Sequence, residues 1–464
     1  VFTASRAINI YDDFTMENLE LRYTGSISNT DKINPPSGYN NNTSGVLYAR
    51  FNNVKISRTI RRNNNYFSLR SIVGGSNSSS GSNNNPTKNK LVIEAGKYSS
   101  ISLSGGAATG SGNYTLYLNN KSVYGSDYDR VKQNNDNLIV TYCAAGTWGS
   151  RIYANTSSSY SNDVSIDLTV KSGSFGTGKI DLTSGIYVGG RYGGTMYAVR
   201  KVKVEGGYIY NLIGGPISDS SRENYNDIYI YMTGGNVDMI TGGAGTSATY
   251  GNRILQITGG TVNYSVFGGS NGQDGSSSDG TLNGSTYLYI GGNSKIGKED
   301  LVNNNSTLWG AEAGSVFGNG NGNTSYDSIG SCDNATIIVD ENATIYKNIY
   351  GGGNYGATGI SSTKPSSLTT IVINNGLIKG SVFGGGNKNG AGNSSKNADI
   401  DISMHGGAIA GSLYGGSNIQ GDIYGNVNIL MTGGEISNNL FGGGKGGKTS
   451  SNNGTFVRNN INIT

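Results

Sequence analysis

The chain has 464 residues, a formal net charge of +4 and only 14% charged residues, against roughly a quarter in ordinary globular domains. Lys and Arg are scattered and no apolar run approaches the ~20 residues of a membrane-spanning helix, so composition speaks against a nucleic-acid track, a polybasic anchor and a membrane span. With 34% apolar residues and 76 Gly, packing has to come from a thin core under a polar coat.

Residues 1–72 carry strand-like segments such as "RAINIYDDFTMENLELRY" and "VLYARFNNVKISRTI" without double-glycine punctuation, and they read as irregular N-terminal coils of a solenoid. Residues 73–190 keep a glycine corner in "SIVGG", "SISLSGG" and "GIYVGG" but hold long insertions such as 111–162. Polar runs such as 74–90 read as loops that add little to stability. From 191 to 464 the repeat is regular, as "DISMHGGAIAGSLYGGS" (401–417) beside "NILMTGGEISNNLFGGG" (428–444) shows. The unit is φ-x-φ-x-G-G-x-φ-x-x-x-φ, then an aromatic or Ile, then Gly-Gly, then a polar loop of variable length. Ile213, Ile240 and Phe267 are 27 residues apart, Phe317, Tyr350 and Phe383 are 33 apart, and Tyr414 and Phe441 follow after 31 and 27. A fixed path with elastic excursions on one side is the signature of a solenoid.

Each unit holds two runs of period two, as in Val427, Ile429 and Met431 alternating with Asn428 and Leu430, which predicts strands with one buried face. The glycine pair between the runs supplies positive φ and room for a tight corner. The expectation is all-β: a single elongated, right-handed parallel β-helix with variable polar loops on one edge. Gly268–Gly269, Gly351–Gly352, Gly384–Gly385, Gly415–Gly416 and Gly442–Gly443 form its corners. Phe267, Phe317, Tyr350, Phe383, Tyr414 and Phe441 form an internal or corner ladder. Val1 begins inside a strand-like run and the final "NNINIT" reads as half a repeat, so the sequence reads as part of a longer rod. Unpaired backbone at its ends predicts end-to-end association. Cys143 and Cys332 lie several repeats apart, beyond the ~7 Å Cα limit for a disulfide if coils stack at ~4.8 Å, so two unpaired thiols are expected.

Two motifs lose their force in this frame. Gly442, Gly447, Lys448 and Thr449 satisfy the spacing of a nucleotide phosphate loop. Their glycines, however, occupy the corner that other coils fill with Gly384–Gly386 and Gly351–Gly353. The following "SSNNGTFVRNNINIT" reads as turn and strand, where a phosphate loop needs a helix N-terminus. "GGSNGQDG" (268–275) approaches a calcium-binding nonapeptide, but no counterpart stands at 384–391 or 442–449, and such repeats need the Asp in successive coils. No cofactor and no metal are expected.

The sole histidine, His405, precedes a glycine pair where other coils place Thr233, Thr258 and Thr432, a solvent-facing position. Asp399 and Asp401 flank Ile400 and face outward, with amides Asn426 and Asn428 one coil later. Such a patch suits sugar hydroxyls or Ca²⁺ better than hydrolysis or elimination, which need converging carboxylates or a calcium cluster with a basic catalyst. Asp12 and Asp13 are strand neighbours whose side chains diverge, and "NTD" (29–31) lacks companion motifs. Tyrosine is the more suggestive residue. Tyr229 and Tyr231 alternate with inward Ile228 and Ile230, Tyr208 and Tyr210 are expected outward on a neighbouring strand, and Lys201 and Lys203 share that face. Exposed aromatic rows stack sugars or grip proteins; cross-strand packing on a pleated surface, where Tyr is favoured anyway, is the simpler account of them.

The corners [VIL]-[FY]-G-G-[GS]-[NK] resemble those of bacterial cell-surface proteins built from glycine-rich β-helical repeats of pectate-lyase-like shape. The resemblance covers 180–464 well and the remainder loosely. "GGAI" (406–409) is similar to a motif of chlamydial polymorphic surface proteins, whose F-x-x-N partner does not accompany it in series. The resemblance implies a secreted, extracellular, surface-associated stalk, adhesin or fibre component rather than an enzyme, with glycans or host surface proteins as partners. A carbohydrate-active β-helix enzyme and a viral tail-spike-like fibre are the alternatives.

Overall fold

The structure, a computed structural model, describes residues 199–464 except 216–222, 225, 246–247, 272–281, 323–331, 360–365 and 448–453, together with strand backbone and few side chains before residue 199. The chain forms two compact units, Val1–Leu212 and Ile213–Thr464. In the first, parallel pairing runs from Phe14–Glu17 through Leu47–Arg58, Lys88–Tyr98, Asn113–Asn119 and Ser165–Ser172 to Val199–Val204.

The second unit is a parallel β-solenoid, and about 7 turns lie within 199–463. Each regular coil has one long strand and two short ones, as in Asn397–Met404, Ala408–Ile409 and Leu413–Tyr414. Every strand pairs in parallel with its counterpart one coil away, so Ile402 lies over Ile429 and Tyr414 over Phe441. Period-two alternation becomes columns: Ile230, Leu255, Leu288, Ile337, Ile371, Ile402 and Ile429 stack along the interior, all buried. Each such side chain contributes about 1.5–3 kcal/mol through burial. The helix Glu299–Asn303 is the only one among the described residues.

The two glycine pairs of a coil do different jobs. In the first pair the second glycine has positive φ, 74° at Gly407 and 88° at Gly434, the left-handed turn between strands. The coil reading "DENAT" lacks the pair, and Glu341 adopts φ 54° there, beside Gly292 at φ 58° in the preceding coil. In the second pair the constraint is close approach. A Cβ on Gly384 would sit 2.3 Å from the Gly415 carbonyl oxygen, one on Gly415 2.2 Å from that of Gly442, and one on Gly351 2.2 Å from that of Gly384.

The aromatic residues before the second pair align along the axis. Ring centroids are 4.6 Å apart for Phe267–Phe317, 4.8 Å for Phe317–Tyr350, 5.2 Å for Tyr350–Phe383, 4.9 Å for Phe383–Tyr414 and 5.0 Å for Tyr414–Phe441. Phe267, Phe317, Tyr350 and Phe383 form a buried cluster with Met239 and Ala311, against which Leu308, Trp309 and Tyr414 pack. Val316 and Phe317 are both buried although adjacent in a strand, because the hairpin Thr307–Leu308/Ala311–Glu312 covers the second face. Its two-residue turn has φ 54° at Trp309 and 71° at Gly310, positive at both central positions as tight hairpins require. The cover ends before the last coil, where Phe441 is 43% exposed.

Beside the stack runs a column of amides. Asn418 donates to Asn387, Asn387 to Asn354, Asn354 to Asn321 and Asn321 to Asn271, at 2.8, 2.8, 3.0 and 3.0 Å. Stacked side chains that satisfy one another's buried polar atoms avoid the desolvation penalty that isolated amides would carry.

Candidate functional site

Three polar assemblies stand out in the second unit, and two of them are spent on the fold. The first surrounds Glu312, whose Oε1 accepts from Tyr350 Oη at 2.7 Å, Asn348 Nδ2 at 2.9 Å and Ser315 Oγ at 3.0 Å, while Lys347 Nζ lies 3.1 Å from Oε2. Burial pushes the Glu312 carboxyl up, but Tyr350, Lys347 and Asn348 together outweigh it and hold it below its ordinary value. Burial, then the Glu312 charge, drives the Tyr350 phenol well above its ordinary range. This network fastens the hairpin over the aromatic stack.

The second is a column of side-chain oxygens where the long strands begin. Asp227 accepts the backbone N–H of Asn252, Asn252 that of Ser285, Asn334 that of Leu368, Asp399 that of Asn426, and Asn426 that of Asn460. Asp399 therefore pins one coil to the next, at 2.6 Å. Asp401 accepts from Asn428 Nδ2 at 2.8 Å, and Asn428 in turn from Asn462 at 2.8 Å. Both carboxylates face outward as expected, and their amide neighbours bond them. His405 is exposed, with Nδ1 2.7 Å from Thr432 Oγ1.

The third is the outward face of the long strands. One outward column runs Tyr229, Ile254, Tyr287, Thr336, Thr370, Asp401, Asn428, and the other Tyr231, Gln256, Tyr289, Ile338, Val372, Ser403, Leu430. Tyr229 and Tyr231 are half-buried, with rings 6.3 Å apart and 14° from parallel. Tyr229 donates to Asp227 Oδ2 at 3.2 Å. Tyr287 is 40% exposed. The Tyr289 ring lies against the backbone of Gly291, where an added Cβ would meet ring carbon Cε1 at 2.6 Å. Burial first, and then Asp227 for Tyr229 or Glu341 and Asp340 for Tyr289, raises both phenol pKa values, so both hydroxyls stay protonated donors.

Tyr287 and Tyr289 escape the sequence reading because their coil, "TYLYIGGNSKIG", displaces the glycine pair relative to its neighbours, although its alternation matches "IYIYM". Tyr210 corrects the reading in the other direction. Expected outward, it is buried at 5% exposure, because Ile209 to Ile213 are covered on both faces; Tyr208 is half-buried. Lys203 pairs with Glu205 at 2.6 Å.

Of the two motifs discounted earlier, Lys448, Thr449 and residues 272–275 lie outside the described residues, as do Asp12, Asp13 and 29–31. Past Thr449 the chain returns as the strand Ile461–Ile463, paired with Val427–Met431. Cys332 is a buried free thiol; the Cys143 side chain lies outside the description. Among the described residues no three His, Cys, Asp or Glu side chains are placed to share a metal ion, and no helix is long and apolar enough to cross a membrane. No protein-family model matches the chain, and no curated protein or solved structure matches it either.

Proposed function

We propose that the chain is a non-enzymatic extracellular structural and adhesive protein, whose solenoid supplies a stiff scaffold and whose long-strand face holds an uncharged glycan. The observation that carries this is the pairing of outward tyrosines, Tyr229 and Tyr231 in one coil and Tyr287 and Tyr289 two coils on. Two coils span about 10 Å, close to the length of a disaccharide unit, and aromatic faces stack against sugar rings. The charge on this face favours a neutral ligand over an acidic one. Asp227, Asp340, Asp399 and Asp401 lie in the outward columns or at their edges, and no Lys or Arg of the second unit occupies those columns among the described residues. An anionic polysaccharide would meet like charge there. The same arrangement gives little support to a polysaccharide lyase, because the carboxylates are bonded to amides and no base stands in register with them.

The test is titration of the protein with neutral and uronic-acid oligosaccharides, read by calorimetry and by product analysis. Binding of a neutral glycan that weakens at least tenfold in Tyr287→Ala/Tyr289→Ala supports the reading. Release of shortened products, abolished by Asp401→Asn, would replace it with catalysis, and binding of uronic-acid chains alone would overturn the charge argument.

A further inference from the structure

Asparagine followed by glycine is the dipeptide at which a backbone most readily attacks its own side chain. The glycine nitrogen closes a five-membered ring on the asparagine Cγ, with no Cβ on its own residue to hinder it, and such intramolecular attack depends on how the two atoms are held. Four of these pairs have both residues described: Asn319–Gly320, Asn321–Gly322, Asn375–Gly376 and Asn389–Gly390.

Three of the four are tied down. Asn319 is fully buried, its Nδ2 donates to the Ala357 carbonyl at 2.7 Å, and its Oδ1 accepts the Gly320 N–H at 2.8 Å. Asn389 repeats the pattern, with Nδ2 donating to the Tyr355 carbonyl and Oδ1 accepting the Gly390 N–H, both at 2.8 Å. Asn321 belongs to the amide column: Nδ2 donates to Asn271 Oδ1 and to the Trp309 carbonyl, and Oδ1 accepts from Asn354. A side chain fastened at both its nitrogen and its oxygen is not free to turn its carbonyl carbon onto the glycine nitrogen. In Asn319 and Asn389 the glycine's own proton is already committed to the side-chain oxygen.

Asn375 differs on each count. It is exposed, in the turn between the strands Ser366–Ile373 and Leu377–Ile378, at the place where the next two coils carry Gly406 and Gly433. Its side-chain amide bonds no described residue, and the Gly376 N–H finds no acceptor among them. Gly376 takes φ 95°, a conformation that selects glycine and so keeps the unhindered nucleophile in place. The preceding Asn374 is held, with Nδ2 donating to Asp340 Oδ2 at 3.2 Å.

We propose that Asn375 is a self-modification site of the folded protein, with water as the only co-reactant. The Gly376 nitrogen gives its proton to solvent base and bonds to Asn375 Cγ; the Cγ–Nδ2 bond breaks and Nδ2 takes up a proton and leaves as ammonia. Water then adds to one of the two carbonyls of the resulting succinimide. Opening on one side restores an α-linked aspartate, and opening on the other leaves a β-linked isoaspartate. Both products place a new carboxylate in the corner. The isoaspartate also lengthens the backbone by one carbon just before the Gly376 carbonyl that accepts the Ala408 N–H at 2.9 Å. The site is independent of the glycan reading, since it needs neither a ligand nor the tyrosine face.

The folded chain, incubated at pH 8.5 and 37 °C in oxygen-18 water and mapped by peptide mass spectrometry, reports all four pairs at once. Asn375 should convert at least tenfold faster than Asn319, Asn321 and Asn389, with heavy oxygen in the product. In urea the difference should vanish, because the hydrogen bonds that hold the other three are gone. Hydroxylamine, which captures the succinimide, should cut the native chain after Asn375, and Asn375→Gln, which would have to close a slower six-membered ring, should not be cut there. An Asn375 that stays intact, equal conversion of the three tied asparagines in the native state, or a difference that persists in urea would refute the proposal.

Discussion

Removing one ring from the middle of the aromatic stack should cost far more than removing one from its end, and the structure sets the difference. Phe317 is fully buried and stacks on both sides, 4.6 Å from Phe267 at 7° and 4.8 Å from Tyr350 at 11°. Truncating a buried phenylalanine costs about 3–5 kcal/mol, and two lost ring pairs at the lower end of their range add about 1 kcal/mol, so Phe317→Ala should lose about 4–6 kcal/mol. Phe441 is 43% exposed and has one stacking neighbour, Tyr414; Phe441→Ala should lose about 1–2 kcal/mol. The assay is urea unfolding followed through Trp309, which packs on the stack, in a Trp148→Phe background that removes the only other tryptophan. With an m-value of about 3 kcal/mol/M, the midpoint should fall by about 1.3–2 M for Phe317→Ala and by about 0.3–0.7 M for Phe441→Ala. Equal shifts in the two variants would falsify the idea that the hairpin-covered centre of the stack carries its stability.

Three further outcomes follow from individual residues. Gly384→Ala should lower the melting temperature by several degrees, since its Cβ would lie 2.3 Å from the Gly415 carbonyl oxygen and 2.6 Å from Ile400 Cγ2 and such overpacking costs about 1–3 kcal/mol. Gly443→Ala, with nothing within 4 Å of the added carbon, should be neutral or stabilise by up to about 1 kcal/mol, and comparable losses at both positions would contradict the close-approach argument. The Glu312 carboxyl is held below its ordinary value of 4.5, so its contribution is fully present above pH 4.5 and is lost as pH falls through the folded-state value. Melting temperatures measured from pH 7 downward should therefore converge for the parent and Glu312→Gln in acid, and a gap that stays constant would show that the carboxylate does not fasten the hairpin. Cys332, buried and with its thiol pushed up to about 12, should resist alkylation at pH 8 until the solenoid unfolds; modification of Cys332 within seconds in native buffer would count against its burial.

What a sequence with this period declares most clearly is whatever repeats. The coils, the glycine corners and the alignment of Phe317 through Phe441 are legible because one local rule recurs at 27 to 33 residues. Features made between coils by unlike residues are not. Glu312 meets Asn348 and Tyr350 at separations of 36 and 38 residues, and nothing in "LWGAEAG" marks it as the anchor of a cover. Alternation placed Tyr229 and Tyr231 correctly, but it specifies only which of two faces a side chain takes, not whether that face is covered. Tyr210 is buried for that reason. Asp399 and Asp401 do lie outward, yet their hydrogen bonds depend on a strand partner 27 residues away.

The amide column also has a direction. From Asn418 to Asn271 every side chain hands its proton backward, and Asn462, Asn428 and Asp401 repeat the same sense on another face. A freshly synthesised turn thus arrives carrying the donors that its predecessor lacks, and it leaves a new set of bare oxygens for its successor.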